Sequence, residues 1–578
     1  MDDGRTGKRR RRLWVIALIA LLIGFWMSRS WWAGPAVPEG SYVLLDLQGD
    51  YAERAPEGVL ERLLGEPTPS LFDVLTVIRD AAEDERIAGM VVRVRSLEIG
   101  WAKAQDIRDA LLRFRDSGKP LRAYLEQEFA NSTLEYYVAS AADTIDLPPA
   151  GTAPVSGLLG QYVFLGGVWD KLDIEMNVEK IREYKTFGDM IANKRMSTYQ
   201  REMENSLLDS LYSQVVSGIA NDRNLDPHAV RAAIDASPAS AEELQKGRLA
   251  DGVHFLDQLR TELLGEKREF LPAAKYRASG GFAPQDVWPD GKIAVVYGVG
   301  PIITGKSESS VVTGRIVMGS DTIVEAFRKA SEDDDIKAIV FRIDSPGGSA
   351  LASDLIWRAT RSAGRAKPVI VSMSDVAGSG GYYVAAGATR IVAQPGTLTG
   401  SIGVVVTRPD VSGFLAKLGI NTESLKRGDL ADLGSLTTPL TAGARARLVE
   451  SMQHIYDVFV QRVSEGRGLS PQRVDEIGRG RVWTGEQALA NGLVDETGGF
   501  FAALDAAKTA AGIPVSRKVE LVFYPKRKGL GERLMELFST RIFGPPPAWW
   551  QRLRGALGAF EFPAGSILTM MRGRFELG

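Results

Sequence analysis

Ile339-Val-Phe-Arg-Ile-Asp-Ser345 runs straight into Pro346-Gly347-Gly348-Ser349, and the same pattern stands earlier in the chain as Met90-Val-Val-Arg-Val-Arg-Ser96. Each run is apolar and β-branched and stops at turn residues, which reads as a buried strand. Working outward, three further stretches recur in the same order. Leu134-Glu-Tyr-Tyr-Val-Ala-Ser140 matches Gly380-Gly-Tyr-Tyr-Val-Ala-Ala386, Pro154-Val-Ser-Gly-Leu-Leu-Gly160 matches Thr397-Leu-Thr-Gly-Ser-Ile-Gly403, and Glu242 to Asp251 matches Glu486 to Asp495. The four pairs stand 249, 246, 243 and 244 residues apart, so only small gaps separate the copies. This is a tandem duplication, with each copy roughly 220 residues long. In the second copy, strands are expected at Lys292–Val299, Ile336–Ile343, Pro368–Ser374 and around Ile391. Helices are expected at Asp321–Ser331, at Ala350–Ser362 and from about Ser379. This alternation predicts an α/β architecture with parallel sheets, whose sites form at the loops leaving the strand ends.

The chain has 578 residues, too many for one ordinary core, with a net charge of −2 that gives no global sign of nucleic-acid binding. It has no cysteine, which excludes disulfides, thiol catalysis and cysteine–zinc sites. Its three histidines, His228, His254 and His454, are far apart and form no metal-ligand pair. Neither metal nor cofactor is expected. At the N-terminus, Arg5, Lys8 and Arg9 to Arg12 precede an apolar run from Leu13 to Met27, followed by Trp31 and Trp32. With its flanks the run reaches about 20 residues, enough for a bilayer. The basic side reads as cytoplasmic and the tryptophans as the far interface. A cleavable signal peptide is the competing reading, but Trp32-Ala-Gly-Pro-Ala36 is a poor cleavage site. The expected organisation is a basic tail (1–12), a signal anchor (13–32), a first repeat (40–277), a linker (278–291), a second repeat (292–515) and a tail (516–578). Everything beyond the anchor is expected on the extracytoplasmic side.

Two glycine-rich turns of the second copy could carry chemistry. Asp344-Ser-Pro-Gly-Gly-Ser349 and Ala377-Gly-Ser-Gly-Gly381 each lead from a strand into a helix. Ser379, flanked by glycines at a helix start, has an exposed hydroxyl, room for a substrate and nearby N–H groups for an oxyanion. Taken singly, each turn reads more readily as a structural glycine turn than as a catalytic one. The first copy sharpens the contrast, because its equivalents are Ser96-Leu-Glu-Ile-Gly100 and Ser132-Thr-Leu134, without the glycines. A nucleophilic serine needs a base. The histidines sit outside both turns; a lysine can serve if burial lowers its pKa toward neutrality, and spacing alone does not choose which.

These motifs together resemble the long, tandem-repeat form of bacterial signal peptide peptidase A (protease IV), over roughly residues 40 to 515. The resemblance implies two ClpP/crotonase-like domains behind one transmembrane helix, and a serine endopeptidase with a Ser–Lys dyad. It implies Ser379 as nucleophile and Lys185, in Tyr184-Lys185-Thr186 of the first repeat, as general base. Thr186 and Phe187 depart from the family's expected Ser-Ala, and Lys180 and Lys194 are the fallbacks. The second-copy equivalent of Lys185 falls near Gly428 and Asp429, so one copy keeps the lysine and the other the serine. Ser401 matches the hydroxyl that orients the lysine, and Gly348 (or Gly347) with Gly380 matches the oxyanion hole. Peptide substrates (remnant signal peptides), membrane association and a homotetramer are implied as well. A crotonase-like acyl-CoA enzyme and an anchored scaffold with a degenerate dyad are the alternatives. The tail, with Gly529 to Phe543, Pro545-Pro-Pro547 and Trp549-Trp550, reads either as a membrane-interface or assembly segment or as a loosely ordered or self-packed end.

Overall fold

The computed structural model describes residues 37–53, 69–128, 131–279, 291–310 and 315–526. The anchor at 13–32, nearly all of the linker and the tail beyond 526 lie outside them. Among the described residues no helix is long and apolar enough to cross a membrane.

Each half builds a sheet of the same plan. In the first half the order is Gly252–Val253, Thr144–Leu147, Leu121–Leu125, Ile87–Leu97, Ser41–Gly49 and Leu271–Pro272, every pairing parallel. In the second half the central strands are Val369–Gly378, Ile336–Ser345, Lys292–Val299 and Glu520–Tyr524, again parallel. Leu398–Gly400 and Arg390–Ala393 extend the far side of Val369–Gly378. Ile336–Ser345 is buried on both faces, which explains its near-continuous apolar run. Of the intervening helices, Ala350–Ala366 is amphipathic and capped: Ser349 opens it by accepting a hydrogen bond from Ala352 N–H.

The expected strands and helices all form, with two differences. Val369–Gly378 runs on to the residue before Ser379. The second sheet also recruits Glu520–Tyr524, beyond residue 515 and inside the stretch read as tail. This strand pairs with Lys292–Val299 as Leu271–Pro272 pairs with Ser41–Gly49, so each half closes its sheet with its own last strand.

The halves are not beads on a string. Val340, Ile370 and Val392 of the second sheet share one core with Val94, Ile107 and Phe114 of the first half. A two-stranded antiparallel ribbon also crosses between them, pairing Glu175–Ile181 with Val404–Asp410. Its register sets Ile181 opposite Val404. The chain therefore leaves toward Lys185 at the same end of the ribbon from which it arrives past Ser401.

Candidate active site

Ser379 sits between strand Val369–Gly378 and helix Gly380–Ala385, with φ 53° and ψ −115°; its hydroxyl is fully buried against Lys185, not exposed as expected from its place on a glycine turn. A non-glycine residue with positive φ is strained, and such strain collects at functional sites. Its N–H donates to the Gly400 carbonyl at 2.8 Å and its carbonyl accepts from Tyr383 N–H at 2.9 Å. The glycines after it are demanded by contact. A Cβ on Gly380 would stand 2.6 Å from Ser353 Oγ and 3.1 Å from the Gly348 nitrogen, and one on Gly381 would stand 2.6 Å from the Ser345 carbonyl oxygen. The two glycine-rich turns are thus packed backbone to backbone. Gly348 itself lies against Ile302, whose carbonyl oxygen would be 2.1 Å from any Cβ there. Gly347 N–H is engaged by Ser345 Oγ at 3.2 Å. Gly380 is the first residue of its helix, a position whose N–H has no intrahelical acceptor.

Lys185 reaches this turn from the first half. Its Nζ stands 2.7 Å from Ser379 Oγ, 2.9 Å from Ser401 Oγ and 2.8 Å from the Ser401 carbonyl oxygen, to which it donates. Lysine and both serines are buried. Burial pulls the amine down from its ordinary 10.5 to about 7, with no charged partner to hold the ammonium. Ser401 also has positive φ, at 52°, and its N–H donates to the Arg481 carbonyl at 2.7 Å.

Two glycines that sequence reasoning passed over make room for the lysine. A Cβ on Gly480 would lie 2.4 Å from the Lys185 nitrogen, and one on Gly403 would lie 3.2 Å from Lys185 Cδ. Tyr184 N–H donates to the Arg479 carbonyl at 3.0 Å, closing the turn on the lysine loop. Gly403 falls within the Thr397–Gly403 repeat match and was visible there. Gly480 lies in no matched stretch.

The other candidates point elsewhere. Lys180 Nζ bonds the Asp189 carboxylate at 2.8 and 3.0 Å, and Lys194 pairs with Asp170 at the surface. His254 faces Asp146, with Nδ1 and the carboxylate oxygen 3.0 Å apart. In the first half the equivalent turn is occupied differently. Thr133 Oγ1 donates to Asn131 at 2.6 Å and accepts from Gly157 N–H at 3.1 Å. The buried Glu135 carboxylate, where the second copy has Gly381, accepts from Leu97 N–H at 2.9 Å.

A strained serine hydroxyl touching a buried amine that titrates near neutrality, beside the backbone of two glycine turns, is an arrangement suited to acyl transfer. Comparison with known proteins agrees. The family model described as Peptidase family S49 matches twice, over residues 113–268 and 361–514. A chloroplastic serine protease SPPA from Arabidopsis thaliana is 37% identical over 90% of this chain and 76% of its own length. Protease 4 from Haemophilus influenzae is 31% identical over 85% of this chain and 82% of its own length. A putative signal peptide peptidase SppA from Enterococcus faecium is 33% identical over 46% of this chain and 74% of its own length.

Proposed function

The chain belongs to peptidase family S49 and is a serine peptidase, and on that premise we propose that it is a membrane-anchored endopeptidase whose Ser–Lys dyad is assembled from both halves. Ser379 is the nucleophile and Lys185 the general base. The observation that carries this reading is the 2.7 Å approach of Lys185 Nζ to Ser379 Oγ in a pocket that brings the amine to about 7.

Neutral Lys185 takes the Ser379 proton as Oγ attacks the scissile carbonyl. The Ser401 hydroxyl and carbonyl fix Nζ, so that its lone pair faces Oγ. The backbone N–H groups of Gly348 and Gly380 receive the negative charge that develops on the carbonyl oxygen. Such a donor contributes about 3 kcal/mol to the transition state. The protonated lysine then passes its proton to the leaving amine, and water releases the acyl group by the reverse path.

The substrate is an extended peptide. The likeness to the Enterococcus signal peptide peptidase supports signal peptides as the class, and we take these to be the remnants left after cleavage. An anchor at residues 13–32 would hold the catalytic region at the outer face of the cytoplasmic membrane. A ClpP/crotonase-like fold for both repeats and a homotetrameric assembly belong to the same proposal.

A fluorophosphonate probe tests the nucleophile. Digestion of the labelled protein is expected to place the adduct on the peptide containing Ser379. An adduct on any other residue, or none, overturns the reading.

A further inference from the structure

Helix Trp101–Asp116 of the first half begins at Gly100 and has no side-chain cap of its own, unlike its counterpart Ala350–Ala366 with Ser349. Its cap comes from the other half. The N–H groups of Gly100 and Lys103 donate to the Asp375 carboxylate at 3.1 and 2.9 Å. Asp375 lies four residues before Ser379, within the strand that leads into it. The junction is tight, because a Cβ on Gly100 would stand 2.4 Å from Asp375 Cγ.

The same helix end meets the second turn. Lys103 Nζ, buried, stands 3.4 Å from the Asp344 carboxylate and 3.7 Å from that of Asp375, and donates to the Tyr51 carbonyl at 3.1 Å. Asp344 lies four residues before Gly348. One first-half helix end therefore holds a carboxylate just upstream of each glycine-rich turn.

The held region is irregular. Pairing between Ile336–Ser345 and Val369–Gly378 passes from Ile343↔Met373 directly to Ser345↔Ala377, so residues 374–376 bulge opposite Asp344 alone. A bulge bends its strand and re-aims the residues beyond it, and the ladder does not fix its shape. Here the fixing groups are side chains. Asp344 accepts from Val376 N–H at 3.2 Å, Thr397 Oγ1 donates to the Ser374 carbonyl at 2.8 Å, and Ser374 Oγ donates to Glu53 of the first half. A buried cluster of this kind costs desolvation and stabilises little against an apolar replacement. Its use is geometric.

We propose that Asp375 and Lys103 are positioning residues of the peptidase, through which helix Trp101–Asp116 sets the bulge that aims Ser379 and the strand end that aims Gly348. The proposal rests on the assignment of Ser379 as nucleophile, and the test keeps the two apart. In the full-length chain in detergent, kcat and KM for a fluorogenic peptide amide and the rate of fluorophosphonate acylation are measured for Asp375→Ala, Asp375→Asn and Gly100→Ala. Asp375→Ala and Gly100→Ala are expected to lower kcat and acylation by about 100-fold, the scale of a displacement near 1 Å, with KM within about threefold. Asp375→Asn keeps an acceptor for the two N–H groups and is expected to recover to within about tenfold. The midpoint of the acidic limb of kcat/KM stays where it is, because the Lys185 pocket is untouched. A cooperatively melting Asp375→Ala or Gly100→Ala that acylates at the wild-type rate overturns the proposal. If Asp375→Ala does not fold, the Gly100→Ala rate decides. An adduct away from Ser379 in the wild type would instead sink the underlying assignment.

Discussion

Replacing Lys185 with methionine is expected to lower peptide turnover by about 10,000-fold or more, the loss typical of removing one member of a catalytic unit, and at the same time to raise Tm. The side chain is fully enclosed and its only perturbation is burial, which lowers the amine to about 7. In the unfolded chain the same amine titrates near 10.5. At pH 7 the unfolded state therefore binds the proton far more readily, and keeping the lysine inside costs about 4 kcal/mol. Methionine has nearly the same length and carries no such cost; it gives up the three hydrogen bonds of Nζ to Ser379 and Ser401, about 1 kcal/mol each, so the net gain is about 1 kcal/mol. The sign has a pH signature. The wild-type penalty is complete below about 7, shrinks as pH rises from 7, and is gone above 10.5, where both states are neutral. The Tm advantage of Lys185→Met should thus be largest near pH 7 and narrow toward pH 10. A scanning-calorimetry series in which the variant melts below the wild type at pH 7 would contradict this.

Ser379→Ala is expected to lower turnover as far as the lysine variant does, since the two side chains act as one unit and their losses do not add. The double variant should be no worse than either single one. The backbone at this position makes a further distinction. With φ 53° and ψ −115°, any side chain is held in a sparsely populated region, at a cost of about 1–3 kcal/mol. Ser379→Gly removes that strain and returns only about 1 kcal/mol through the greater freedom of the unfolded chain. It should be inactive yet at least as stable as Ser379→Ala. Paired denaturation curves on the two variants check this, and a glycine variant less stable by a kcal/mol or more would show that the turn is not strained.

Much of the architecture was legible because the chain states it twice. Duplicated strand runs located the sheets, and the motif Gly378-Ser379-Gly380-Gly381, whose glycines the first copy lacks, singled out the turn that abuts Lys185. Other features were hidden for identifiable reasons. Lys185 and Ser379 are 194 residues apart, and what joins them is a ribbon between Glu175–Ile181 and Val404–Asp410 that neither copy contains alone. Helix Trp101–Asp116 looks solvated, with Lys103, Gln105, Asp106 and Arg108 close together, yet all four are buried. Their partners come largely from the other half: Arg342 Nη2 donates to Asp106 at 2.7 Å, and Gln105 Oε1 accepts from Gly396 N–H at 2.7 Å. Local pattern describes a helix against its own sheet, and it misreads a helix wedged between two. The strand at Glu520–Tyr524 was missed because the match between copies stops near 495. Its first-half counterpart, Leu271–Pro272, is too short to carry a recognisable pattern.

The central claim is that a lysine from the first half is the base for a serine in the second. It is tested most directly by the pH dependence of fluorophosphonate acylation at Ser379, measured in the wild type and in Lys185→Met, Lys180→Met and Lys194→Met. The neutral amine is the active form, so the wild-type rate should fall tenfold per pH unit on the acid side of a midpoint near 7. That limb and at least about 1,000-fold of the rate should vanish in Lys185→Met, and both should persist in the other two. A wild-type limb centred near 10, or a limb retained in Lys185→Met and lost in Lys180→Met or Lys194→Met, would contradict the assignment.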